Sequence, residues 1–158
     1  MAADHGVPML RVLGLLALSL LVHPAWAQGD TPRIQGVWLA FAGEVEGKPL
    51  PEDAFLEPQT IHFTDREYRI EVNGQLAEQG EYALSKGKSA WFIDFSVQKG
   101  PEAGRVHLGI AELKNNELKI CINPGGVKER PDSFLTRPGS GRIILNLKKT
   151  GASSSSTR

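Results

Sequence analysis

The sequence predicts an all-β fold, an antiparallel up-and-down meander of about eight strands that closes into a barrel. Three observations carry that expectation. From Gln59 onward, apolar and polar residues alternate with a period of two, the spacing of a pleated strand with one covered face. Turn-forming pieces (Asn73-Gly74, Ser85 to Ser89, Lys99 to Gly104, Lys114-Asn115-Asn116) separate these runs at hairpin distances. No amphipathic helical repeat interrupts the series. An open sheet of this size leaves two unpaired edges, which closure removes, and short hairpin links favour up-and-down order over the Greek-key crossings of a sandwich.

The elements follow in order. The lead-in, residues 28–33, is short and polar. Ile34 to Ala42 (IQGVWLAFA) is apolar on both parities from Val37, as a strand covered on both faces would be. Pro49 and Pro51 bar regular strand in the next stretch, and Pro51-Glu52-Asp53 suits the start of one helical turn. Ile61 and Phe63 share a face, as do Tyr68, Ile70 and Val72, with Asn73-Gly74 as the turn into a strand over Gln75 to Leu84. Tyr82 and Leu84 point inward there, and Gly80 marks a bulge. Trp91, Ile93 and Phe95 form the inward parity of AWFIDFSV, with Phe92 and Asp94 opposite.

Arg105 to Ile122 is read as a central hairpin. Val106, Leu108, Ile110, Leu118, Ile120 and Ile122 are its expected inward set, with His107 opposite the first three. A Pro/Gly loop follows, then a short strand over Asp132 to Thr136, a turn at Pro138 to Gly141, and a last strand over Ile143 to Leu147. The domain organisation is therefore residues 1–27 as a signal peptide, 28–33 as lead-in, 34–149 as the barrel and 150–158 as a disordered Ser-rich tail.

Export is read from the first segment. Arg11 precedes the apolar run Val12 to Val22, and Ala25-Trp26-Ala27 places small residues where a signal peptidase reads them. The run is about half the roughly 20 residues that span a bilayer, so no membrane span is expected after cleavage. A periplasmic or extracellular location follows. The signal carries Asp4 and Arg11, and the remaining 131 residues hold 17 acids and 17 bases, a balance that argues against a nucleic-acid partner. With Cys121 as the one cysteine no internal disulfide forms, and the fold rests on core packing.

Taken together, Ile34-Gln35-Gly36-Val37-Trp38, Gly47-Lys48-Pro49, Ile93-Asp94, Leu108-Gly109-Ile110, Glu117 to Cys121, Glu129-Arg130-Pro131 with Phe134, and Gly139-Ser140-Gly141 resemble a bacterial family. It is a family of exported domains, uncharacterised in activity, abundant in planctomycetes and labelled lipocalin-like. The resemblance covers Ile34 to about Lys149, nearly the whole chain after the signal. It implies a lipocalin-like barrel in which Gly36, Trp38, Cys121, Glu129 and Pro131 are structural signature positions, and it carries no catalytic set. Gly36-x-Trp38 is also similar to the lipocalin Gly-x-Trp, whose Trp closes one end of the barrel. The long C-terminal helix and the disulfide of typical lipocalins have no counterpart here.

No motif of nucleophilic or metal-assisted catalysis is present, so the chain is read as a non-enzyme without cofactor or metal. Arg130, flanked by Glu129 and Asp132, is the strongest polar position: it clamps either a ligand carboxylate or phosphate, or a partner within its own loop. Tyr68, Tyr82 and Trp91 would contact a ligand in a hollow barrel and form core in a filled one. Two functions stand open at this point. One is an exported barrel binding a small, largely apolar ligand; the other is a structural or protein-interaction module of the cell envelope, with a filled barrel and an envelope protein as partner. A void of roughly 300 Å³ separates them.

Overall fold

Three two-residue turns set the register of the sheet. Glu46-Gly47, Asn73-Gly74 and Asn115-Asn116 all have positive φ at both positions, the type I′ geometry whose twist matches that of antiparallel strands. Asn tolerates this region because its short polar side chain bonds locally, and Gly because it has no Cβ. The computed structural model describes residues 31–124 and 129–151. The expected signal peptide, part of the lead-in and most of the Ser-rich tail lie outside the described residues.

The elements are β1 (Gly36–Val45), β2 (Lys48–Pro49), a 3₁₀ turn (Glu52–Phe55), β3 (Gln59–Phe63), β4 (Glu67–Val72), β5 (Gln75–Lys86), β6 (Trp91–Lys99), β7 (Val106–Lys114), β8 (Glu117–Asn123) and β9 (Ile143–Lys149). Each strand from β3 on pairs antiparallel with its successor, β1 pairs with β3, and β9 returns to β1, with Trp38 opposite Lys149 and Val45 opposite Ile143. The fold is thus a closed, eight-stranded, lipocalin-like up-and-down barrel, with β2 as a short flap on β1. Closure pairs both edges that an open meander would expose. A register shift at Ala40/Ala42 leaves Phe41 turned out on the wall, and another at Gln79/Gly80 bends β5.

One barrel end is plugged by Ile34, just ahead of β1. Ile34 is fully buried, and the Trp38 indole N–H donates to its carbonyl at 2.6 Å. Trp38 therefore satisfies its one polar atom while its ring fills the end of the core. The 3₁₀ turn lies by the other end, where Phe55 packs against the core cluster.

The structure corrects the inward set of the central hairpin. Leu118, Ile120 and Ile122 do face the interior, but on β7 the inward positions are His107, Gly109, Ala111 and Leu113, and Val106, Leu108 and Ile110 face out. The cause is loop length. The turn is Asn115-Asn116, so Lys114 pairs with Glu117 and every pair across the hairpin joins an odd position to an even one. Facing residues share a side, so even positions inward on β8 force odd positions inward on β7. Residues 132–136 are also not a strand; they run as bends across the outer wall.

Candidate functional site

The interior is built from alternate residues of all eight strands, and aromatic rings fill its middle. Phe63 meets Tyr82 edge-on at 4.9 Å and Tyr68 meets Phe95 at 4.8 Å, while Trp38, Ile93, Leu118 and Leu147 are each at most 1% exposed. Two glycines make this packing fit. A Cβ at Gly80 would lie 3.0 Å from the Tyr68 ring and 2.0 Å from the Ser96 carbonyl, and one at Gly109 would lie 2.8 Å from Ile122. An interior void lined mainly by Ile61, Ile70, Phe95, Ile120, Ile122 and Leu145 measures about 40 Å³. That space is large enough for a water and far below a ligand pocket.

Three polar groups reach this region. The Tyr68 hydroxyl donates to Glu78 Oε1 at 2.8 Å, and Nδ1 of His107 is buried with no partner among the described residues. Tyr82, toward the plugged end, donates to the Thr64 carbonyl at 2.7 Å. Burial, then the hydrogen bond to Glu78 and its charge, hold the Tyr68 phenol well above its ordinary range; burial and the charge of Asp65 raise that of Tyr82. Of the positions expected to meet a ligand, Tyr68 and Tyr82 are core. Trp91 is half-buried at the rim and, with the inward-facing Ala111 and Leu113 and with Pro32, Lys86, Lys88 and Glu112, lines a cleft of about 360 Å³ at the barrel mouth, outside the packed interior.

Arg130 sits elsewhere, on the outer wall. Nη1 donates to Asp94 Oδ1 at 2.5 Å and to the Gly109 carbonyl at 2.7 Å, Nη2 donates to Asp94 Oδ2 at 2.9 Å, and the guanidinium lies 4.5 Å over the Phe92 ring. The bidentate carboxylate clamp is therefore made with the protein's own Asp94, on the outward parity of β6. Beneath the loop is a second small core of Ile110, Cys121 and Ile144, joined by Ala90, Phe92 and Phe134. This accounts for apolar residues on the outer parity of β6 to β9. Burial raises the Cys121 thiol above its ordinary range, against the opposing charges of Arg142 and Lys119, so it is held in its unreactive form.

The positions expected from the resemblance have local contacts. A Cβ at Gly36 would meet Lys149 at 3.0 Å, the Glu129 carbonyl accepts from the Asn123 amide, and Pro131 is buried under the loop. Farther along, Thr136 bridges Glu44 and the Gly47 N–H, while the Glu46 carboxylate accepts from the backbone of Gly139 and Gly141. The 129–142 loop is thus tied to β6, β7, β8 and the β1–β2 hairpin. Asp94 and Asn123 were missed as partners in the sequence, yet Asp94 carried a signal: it is the one charge in AWFIDFSV, and a lone charge in an apolar strand calls for a counter-charge.

Among the described residues no group of three His, Cys, Asp or Glu is placed to hold a metal ion. No family model, no curated protein and no solved structure matches the chain.

Proposed function

We propose that this chain is an exported, non-enzymatic barrel of the lipocalin-like family named above, acting through its outer surface as a structural or interaction module of the cell envelope. The observation that supports the reading is the filled interior. A carrier that encloses an apolar ligand needs an interior pocket of several hundred Å³, and here aromatic rings occupy the middle of the barrel, where the void beside Tyr68 and Phe95 is about 40 Å³. Opening it would pull apart the Phe63, Tyr82, Tyr68 and Phe95 edge contacts, each of which stabilises the barrel by about 0.5–1.5 kcal/mol beyond simple burial. The loop that is strapped to the outer wall presents a fixed surface on the rigid barrel, the arrangement that suits recognition by shape. The Ala25-Trp26-Ala27 segment supports export.

Native mass spectrometry of protein taken from its own envelope, paired with Trp fluorescence against a hydrophobic dye, tests the reading. The expected result is a bare polypeptide mass and no energy transfer from Trp38 to the dye. A stoichiometric apolar ligand co-purifying with the folded chain would overturn it in favour of the carrier.

A further inference from the structure

The cleft at the barrel mouth, about 360 Å³, lies within the size range of small-ligand pockets and outside the packed interior. We infer that it takes a small organic anion with an apolar body, an aryl or short-chain alkyl carboxylate. The inference begins with the register of β5. Tyr82 and Leu84 belong to its inward row, and the next inward position is Lys86, which pairs with Trp91 across the hairpin as Trp91 pairs with Ala111 on β7. Paired residues share a side, so the row that is dry at Tyr82 ends in an ammonium beside an apolar wall of Trp91, Ala111 and Leu113. A lysine stem can lie along such a wall while its charge stays in water.

Charge decides the sign of the ligand. Lys86 and Lys88 both line the cleft, both are exposed, and neither forms an ion pair among the described residues. Glu112, the one carboxylate of the lining, is already matched by Lys114 at 2.9 Å. Both ammonium groups are thus left to an anion. The apolar body has its contact in Trp91, which is half-buried. Unlike Trp38, it gives its indole N–H to no acceptor among the described residues, and that nitrogen is not enclosed, so a further donor stays open. The hairpin tip is built rather than loose. Gly87 N–H donates to the Ala90 carbonyl at 3.1 Å, and a Cβ at Gly87 would lie 2.4 Å from that oxygen and 2.6 Å from the Phe92 ring, whose face carries the Arg130 guanidinium. The two lysines therefore flank a fixed turn. Exposed charges hold a ligand weakly enough for it to exchange, so purified protein keeps its bare mass, and the site does not depend on whether the barrel interior is filled.

The test is titration of ¹⁵N-labelled protein with 3-phenylpropionate, with acetate as the same charge without a body and 2-phenylethylamine as a similar body with the opposite charge. The expected result is saturable shifts of the Trp91 indole N–H and of the backbone from Lys86 to Ala90 with 3-phenylpropionate, and none with the other two at the same concentration. Lys86→Gln combined with Lys88→Gln, which removes both charges from an exposed tip, should weaken binding about tenfold. Lys99→Gln, at the far end of β6, should not alter it. Added salt should weaken binding to the parent and much less to the double variant. No saturable response to 3-phenylpropionate, an equal response to acetate or the amine, or an unchanged affinity in the double variant would each overturn the proposal. Failure of the filled-barrel reading would show separately, as shifts of Phe95 and Ile120 inside the barrel.

Discussion

Replacing Arg130 with Ala should lower stability by about 2–3 kcal/mol without changing the barrel. The figure comes from what the guanidinium holds. It makes two charge-assisted bonds to Asp94 and one to the Gly109 carbonyl, with side-chain exposures of 23% for Arg130 and 33% for Asp94. Bonds to charged groups contribute about 1.5–3 kcal/mol each when shielded, less with this much solvent contact. Stacking on Phe92 adds about 0.5–1 kcal/mol, and release of the ordered Arg side chain returns about 1–2 kcal/mol. For a domain of this size the net loss lowers Tm by on the order of 10 °C. Thermal unfolding by circular dichroism measures it, and a double-mutant cycle with Asp94→Asn should give a coupling of about 1–2 kcal/mol. Arg130→Lys should recover less than half, because an ammonium cannot span both carboxylate oxygens and the Gly109 carbonyl. A Tm within 2 °C of the parent, or a coupling under about 0.5 kcal/mol, would refute the view that this clamp secures the loop.

Two further predictions concern the interior and the outer core. The folded-state phenol pKa of Tyr68 and Tyr82 lies above the unfolded value of 10.0, so their stabilising effect is whole below that pH and is lost as pH rises beyond it. Urea unfolding should show stability falling above pH 10 by up to about 1.4 kcal/mol per pH unit for each phenol, and Tyr68→Phe should flatten the slope; a flat profile in the parent would contradict the burial argument. Cys121, fully buried beneath the loop, should resist iodoacetamide at neutral pH and react only as the domain opens, so that its labelling rate follows denaturant as global unfolding does. Fast labelling in water would mean that the loop opens locally and that Arg130, Glu46 and Thr136 hold it loosely.

How the amino-acid sequence divides from its tertiary structure is clear at particular residues. Trp91, Ile93 and Phe95, or Tyr68 and Ile70, disclose their inward parity by themselves, because a strand's side chains alternate and one face must be dry. Asn73-Gly74 announces its turn because few other residues adopt positive φ at both positions. These local regularities determine the all-β class and the meander, and closure follows because an open meander would leave two edges unpaired. They could not decide β7, where Val106, Leu108 and Ile110 and the alternative His107, Gly109 and Ala111 compete. A one-residue difference in the turn after Lys114 exchanges the faces, and the outer parity is itself apolar where Phe92, Phe134 and Cys121 cover it.

The surface features were hidden for a different reason. Arg130 and Asp94 are 36 residues apart, and Thr136 and Glu44 are 92 apart, so no spacing rule joins them. The sequence by itself determined that this chain makes hairpins with one dry face, because that requires only period and turn chemistry. Whether the barrel was hollow or full, and what the charged loop after β8 would grip, was decided by tertiary structure: ring volumes must add up across eight strands, and a guanidinium takes whichever carboxylate the closed wall brings to it.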